Sequence, residues 1–211
     1  WVPDYYPEGH EGGRGAFVMY WSSTIFNDDD PDHTDDGVYC TVLWGATTDF
    51  TQQTYEYGGV FIDTGGDSMV QRPLPDGVVR TYRITKDNSF GNGIWMDSTD
   101  ARRWWEPDAQ WTCVQKHIGA GYVPDGNPGG VEGPAVFANH HNDGSDADEW
   151  YLFVDVIPSI GYQPMRSNNL DSGFVPLDSP DYYLSEHTKH GGVASLAKEE
   201  YDRIASEYGL Q

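Results

Sequence analysis

The run VVRTYRIT, residues 78–85, alternates apolar and polar side chains well enough to read as a half-buried strand. Val79, Tyr82 and Ile84 are its expected inward positions. Working outward, similar short runs recur. AFVMYWS (16–22) and VYCTVLWGA (38–46) read as paired strands. WTCVQKHI (111–118), PAVFAN (134–139), EWYLFVDVI (149–157) and a last run near 160–166 follow. Turn residues separate them, and the chain carries 25 Gly and 13 Pro along its length. Many short strands at this spacing predict an all-β protein: a sandwich, a barrel or a propeller.

The C-terminus departs from this pattern. In SLAKEEYDRIASEYG, Ala197, Tyr201, Ile204, Ala205 and Tyr208 recur at helical spacing, and Gly209 follows as a stop. An amphipathic helix packed on the β-body is expected. No linker or sharp change of composition interrupts residues 1–211, so they are expected to form one domain.

Charge narrows the partners. The chain holds 34 acids against 12 bases, a net charge of −22. Such a surface repels phosphate backbones and anionic membranes. Neutral ligands stay open, and 8 Trp, 14 Tyr and 8 Phe suit sugars. No apolar run is long enough for a membrane span. The opening on Trp1, without Met, suggests that a segment was removed upstream, as in a secreted protein. Cys40 and Cys113 could pair or stay as thiols.

Several chemistries lack their signatures. The acidic run Asp28, Asp29, Asp30, Asp32, Asp35, Asp36 fails the calcium-loop template, because His33 and Tyr39 stand where it needs Gly and Glu. A solvated loop is expected there. His140 and His141 are adjacent, and His187 and His190 lie in a loop, so no zinc spacing exists. No serine elbow, phosphate loop or dinucleotide fingerprint occurs. Carboxylates remain. Asp63, in GGVFIDTGGDS, ends an apolar run. Glu132, in GGVEGPAVFANHH, begins one among glycines and a proline, with no cation nearby in sequence. Two carboxyls are the minimum for glycoside hydrolysis. A plain turn role is the competing reading for each.

Ordered segments add to this. WVPD (1–4) with FVMYWSS (17–23), GATTDFTQ (45–52), VFID (60–63) with RTYRITKD (80–87), VEGPAVF (131–137) and KHGGVASLAKEEYDRI (189–204) resemble, in that order, segments of glycoside hydrolase family 43. The likeness is strongest to α-L-arabinofuranosidase-like and β-xylosidase-like members. It implies a five-bladed β-propeller with a C-terminal helix, of which this chain covers roughly three and a half to four blades. It also implies an inverting glycosidase acting on plant polysaccharide, with Glu132 as general acid and Asp63 as the modulator of its protonation. The family's base aspartate lies upstream of its W-A-P-D segment. WVPD opens this chain, so the base has no counterpart here and is expected on an N-terminal portion of the same enzyme. His190 matches a channel-axis histidine that can hold Ca2+ or water, and Arg83 and Lys86 are expected near the substrate. No cofactor is expected to be required. A sugar-binding propeller without turnover is the alternative.

Overall fold

The computed structural model describes residues 1–26, 32, 38–62, 67–87, 93–123, 130–139, 148–157, 160–178, 182–184 and 188–209, without the side chains of residues 38–40, 67 and 87. Asp63, His140, His141, His187 and all of the acidic run except the exposed Asp32 lie outside the described residues.

The described chain is mostly β, in three antiparallel sheets. The first holds β1 (Phe17–Ile25), β2 (Val38–Thr47) and β3 (Glu56–Ile62), in that order. The second runs β4 (Asp67–Pro73), β5 (Val79–Asp87), β6 (Gly93–Thr99), β7 (Thr112–Ile118). The third is built from β8 (Val131–Ala138), β9 (Trp150–Val156), β10 (Gly161–Ser167) and the two-residue β11 (Val175–Pro176), with β8 at one edge. Within each sheet, strands consecutive in sequence are neighbours.

The first strand of each sheet faces its neighbours. Tyr20 of β1 accepts a hydrogen bond from the Met69 amide of β4 at 3.1 Å. Ser68 of β4 accepts one from the Val136 amide of β8 at 3.2 Å. Between the second and third sheets lies the apolar core. Tyr82, Ile84, Ile94, Met96 and Ile118 meet Val131, Leu152, Val154, Val156 and Met165 there. Burying each such side chain stabilises the fold by roughly 1.5–3 kcal/mol. Val79 is not part of it. It is 44% exposed, because strand periodicity puts it on the opposite face from Tyr82 and Ile84. The first sheet packs through aromatics: Trp104 and Trp105, from the β6–β7 connection, lie against Tyr20, Trp44 and Phe61.

A polar staple also spans the second and third sheets. Arg80 holds Asp100 at 2.7 Å and Asp171 at 3.1 Å. Asp171 also accepts from the Tyr82 hydroxyl at 2.7 Å. Arg72 pairs with Asp148 and lies 3.7 Å from Asp171.

Helix α1 (Lys198–Tyr208) forms as its periodicity predicts and ends on Gly209 in the left-handed conformation. It does not pack on the sheets as expected, since none of its residues is buried. Tyr201 and Tyr208 are exposed, for no sheet among the described residues covers that face. Ala197 offers no side-chain acceptor, and only Glu200 reaches back, to the Ala197 amide at 2.8 Å. No described helix is long and apolar enough to cross a membrane. Cys113 is a free, exposed thiol.

The staple gives a pH test. Arg80 holds the Asp100 carboxyl below its ordinary value of 3.8. For Asp171, burial pushes upward, but Tyr82 and Arg80 outweigh it and the net direction is down. Stability from lowered carboxyls is present above the unfolded value and lost as pH falls through the folded one. Asp171 is 41% exposed, so solvent screens its ion pairs, and Asp171→Asn should destabilise by about 0.5–1 kcal/mol at neutral pH. Urea titrations should show that difference shrinking below about pH 4.

Candidate active site

The VEGPAVF segment folds as strand, not as the turn that its Gly and Pro suggest. Val131 pairs with Val156 and Glu132 with Asp155, but Ala135 pairs with Phe153, so β8 carries one extra residue between Glu132 and Ala135. Gly133 takes up this bulge with φ +54. Pro134 has no amide to donate, which an edge strand tolerates. Val131 and Val156 point into the core, so Glu132 and Asp155 share the opposite face.

Around that pair two lysines and a histidine converge. The Lys86 ammonium, from β5, donates to Glu132 Oε2 at 2.7 Å. The cation missing from the local sequence thus arrives from 46 residues away. The His190 Nε2 atom lies 3.4 Å from Glu132 Oε1 and 3.7 Å from Asp155 Oδ2. Lys189 Nζ stands 4.0 Å from Asp155 Oδ2. Arg83 is not part of the group. It lies three residues from Lys86 and faces the other way, on Asp97 at 3.2 Å and over the Trp111 ring at 4.1 Å.

Lys189 and His190 arrive on a segment strapped across β8 and β10. The Tyr162 amide donates to Thr188 O at 3.0 Å. The Tyr162 hydroxyl accepts from the Gly191 amide and donates to Gly133 O at 3.2 Å. His190 itself has φ +37, an uncommon value for a non-glycine residue. Its ring presses on Gly133: a Cβ there would stand 2.1 Å from His190 Cδ2. The glycine therefore serves both the bulge and the histidine.

Asp155 and Lys189 are residues that sequence reasoning missed; the Asp155 side chain lies at the centre of the group. That side chain is fully buried, and neither oxygen has a hydrogen-bond partner. Burial raises its pKa, against the pull of Lys189 and His190. One acid inside the apolar run YLFVDVI was the available signal. Ligating atoms of Glu132, Asp155 and His190 lie within 4.8 Å of one another. Two carboxylates and one imidazole could hold a cation, but calcium takes about six to eight oxygens, and lysines already lie against both acids.

The arrangement can bind and orient a polar ligand and move a proton at Glu132 Oε1, since Lys86 engages Oε2. A family model described as a probable glycosyl hydrolase domain matches residues 1–202. No curated protein matches the chain.

Two outcomes test this geometry. Gly133→Ala should destabilise by about 1–2 kcal/mol, the cost of the left-handed backbone. A crystal structure of the variant should show His190 moved off Glu132. For Asp155, a raised carboxyl contributes stability that is complete below its unfolded value of 3.8 and lost as pH rises through the folded one. Asp155→Asn should therefore raise the melting temperature relative to wild type more at pH 7 than at pH 3, read by scanning calorimetry at both.

Proposed function

Because the chain belongs to the family of probable glycosyl hydrolase domains related to glycoside hydrolase family 43, we propose that it acts as a secreted, inverting glycosidase. It removes α-L-arabinofuranosyl or β-xylosyl units from plant cell-wall polysaccharide. The observation that carries this reading is Glu132, raised on the E-G-P bulge beside the buried Asp155. Inverting hydrolysis needs one carboxylic acid to protonate the leaving oxygen while a base activates water on the opposite face. Glu132 is the proton donor, delivering from Oε1 as the glycosidic C–O bond breaks. Lys86 on Oε2 fixes the carboxyl plane, and Asp63 is the modulator of its protonation.

Asp155 is not the base. An inverting pair stands roughly 6.5–9.5 Å apart, with water between. Asp155 comes within 4.8 Å of Glu132. We assign the base to a further blade of a five-bladed propeller, in which the three sheets supply neighbouring blades with β1, β4 and β8 innermost. No cofactor is required. Beside His190 the donor set suits a water better than Ca2+, because among the described residues two carboxylates offer oxygens there and a lysine lies against each. The net charge of −22 speaks against nucleic acid and anionic membrane as partners.

A second reading is a sugar-binding domain without turnover, and the Lys86–Glu132 ion pair favours it, since that contact holds the carboxylate in a cationic grip. Glu132→Gln separates the two. As an acid, Glu132 is worth about 100-fold or more on an unactivated arabinoside or xyloside, with the fold retained by circular dichroism. Unchanged turnover in the variant defeats the catalytic reading. Oligosaccharide binding with no product from wild type establishes the second.

A further inference from the structure

We propose that Asp155 is a positioning residue for Glu132: it anchors the segment carrying Lys189 and His190, and so holds the His190 ring against the acid. This rests on the reading of Glu132 as proton donor. The observations are independent of that reading. Asp155 sits in the central strand pair of its sheet, directly across the ladder from Glu132. It is wholly buried, and both its oxygens lack hydrogen-bond partners. A buried carboxylate left so is expensive unless charge nearby offsets it.

The basic groups nearest to it both come from the strap. Lys189 and His190 lie 4.0 and 3.7 Å from Oδ2. On the other sides stand Glu132 of β8, Lys86 of β5 and Tyr162 of β10. Among the described residues the strap has few other ties to the sheets. Tyr162 meets the backbone of residues 188 and 191, and between them His190 is held in a left-handed conformation. Nothing in these backbone bonds aims the imidazole. The fixed buried carboxylate draws Lys189, and the adjoining His190 then comes to lie with Nε2 between Asp155 and Glu132. Removing that charge frees the strap to lift, and Glu132 keeps only Lys86.

The test compares Asp155→Asn with Glu132→Gln in the full-length enzyme, on glycosides of one sugar with different leaving groups. A 2,4-dinitrophenyl leaving group departs without protonation, whereas an alkyl leaving group needs the acid. Asp155→Asn should cut kcat on the alkyl glycoside by about tenfold or more, and change the dinitrophenyl rate by less than about threefold. KM should change little. A merely structural defect would lower both rates together. That outcome, or no loss on either substrate, overturns the role of Asp155. If Glu132→Gln shows the leaving-group dependence and Asp155→Asn does not, only the positioning role falls. If Glu132→Gln shows none, the acid reading falls and takes this one with it. A crystal structure of Asp155→Asn gives a readout apart from turnover. His190 should have left Glu132, and a ring still 3.4 Å away overturns the anchor.

Discussion

Between Glu132 and Ala135 the β8 ladder takes one residue more than β9 does, and Gly133 absorbs it at φ +54 while Pro134 forgoes an amide. The rest of the site depends on this bulge. It keeps Val131 in the core and turns Glu132 to the face shared with Asp155. It leaves a bare α-carbon on which the His190 ring can rest. Each member of E-G-P thereby has its own physical role. The acid faces the site, the glycine makes room, and the proline sits in the bulge, where its missing amide leaves no ladder bond unmade, before pairing resumes at Ala135.

Charge is distributed against the trend of the whole chain. With 34 acids and 12 bases, most acids have no basic partner to find. Yet Lys86, Lys189 and His190 gather around two carboxylates, and Arg72 and Arg80 gather around Asp100, Asp148 and Asp171. The first cluster makes a site and the second joins two sheets. Scarce cations are found where a carboxylate must be held in a set place, and the surface is left anionic.

Much of the fold was legible. Alternation and turn residues were enough to find β1, β2, β5, β7, β8, β9 and β10, and the i, i+4, i+7 pattern found α1. The strands β4 and β6 were missed because DSMVQRP and GIWMDST break alternation with polar residues that tertiary contacts accommodate, such as Ser98 and Thr99 in the interior. Glu132 and His190 were legible from ordered segments, and the structure brings them together with Lys86. Arg83 went the other way because three residues reverse the face of a strand. Asp155 and Lys189 were not found. Their meaning depends on which strand lies opposite which, and no local pattern carries register.

The separations across the site carry a meaning for folding. Lys86 reaches Glu132 over 46 residues, and Tyr162 reaches Gly191 over 29. Each such closure gives up chain entropy before any contact repays it. The hairpins of each sheet are local and can form early, whereas Lys86 and Glu132 meet only once the second and third sheets have docked. The strap then settles on a surface that those sheets must already have made. Assembly of this site therefore reports that both sheets are complete, and a partly folded chain has strands but not the site.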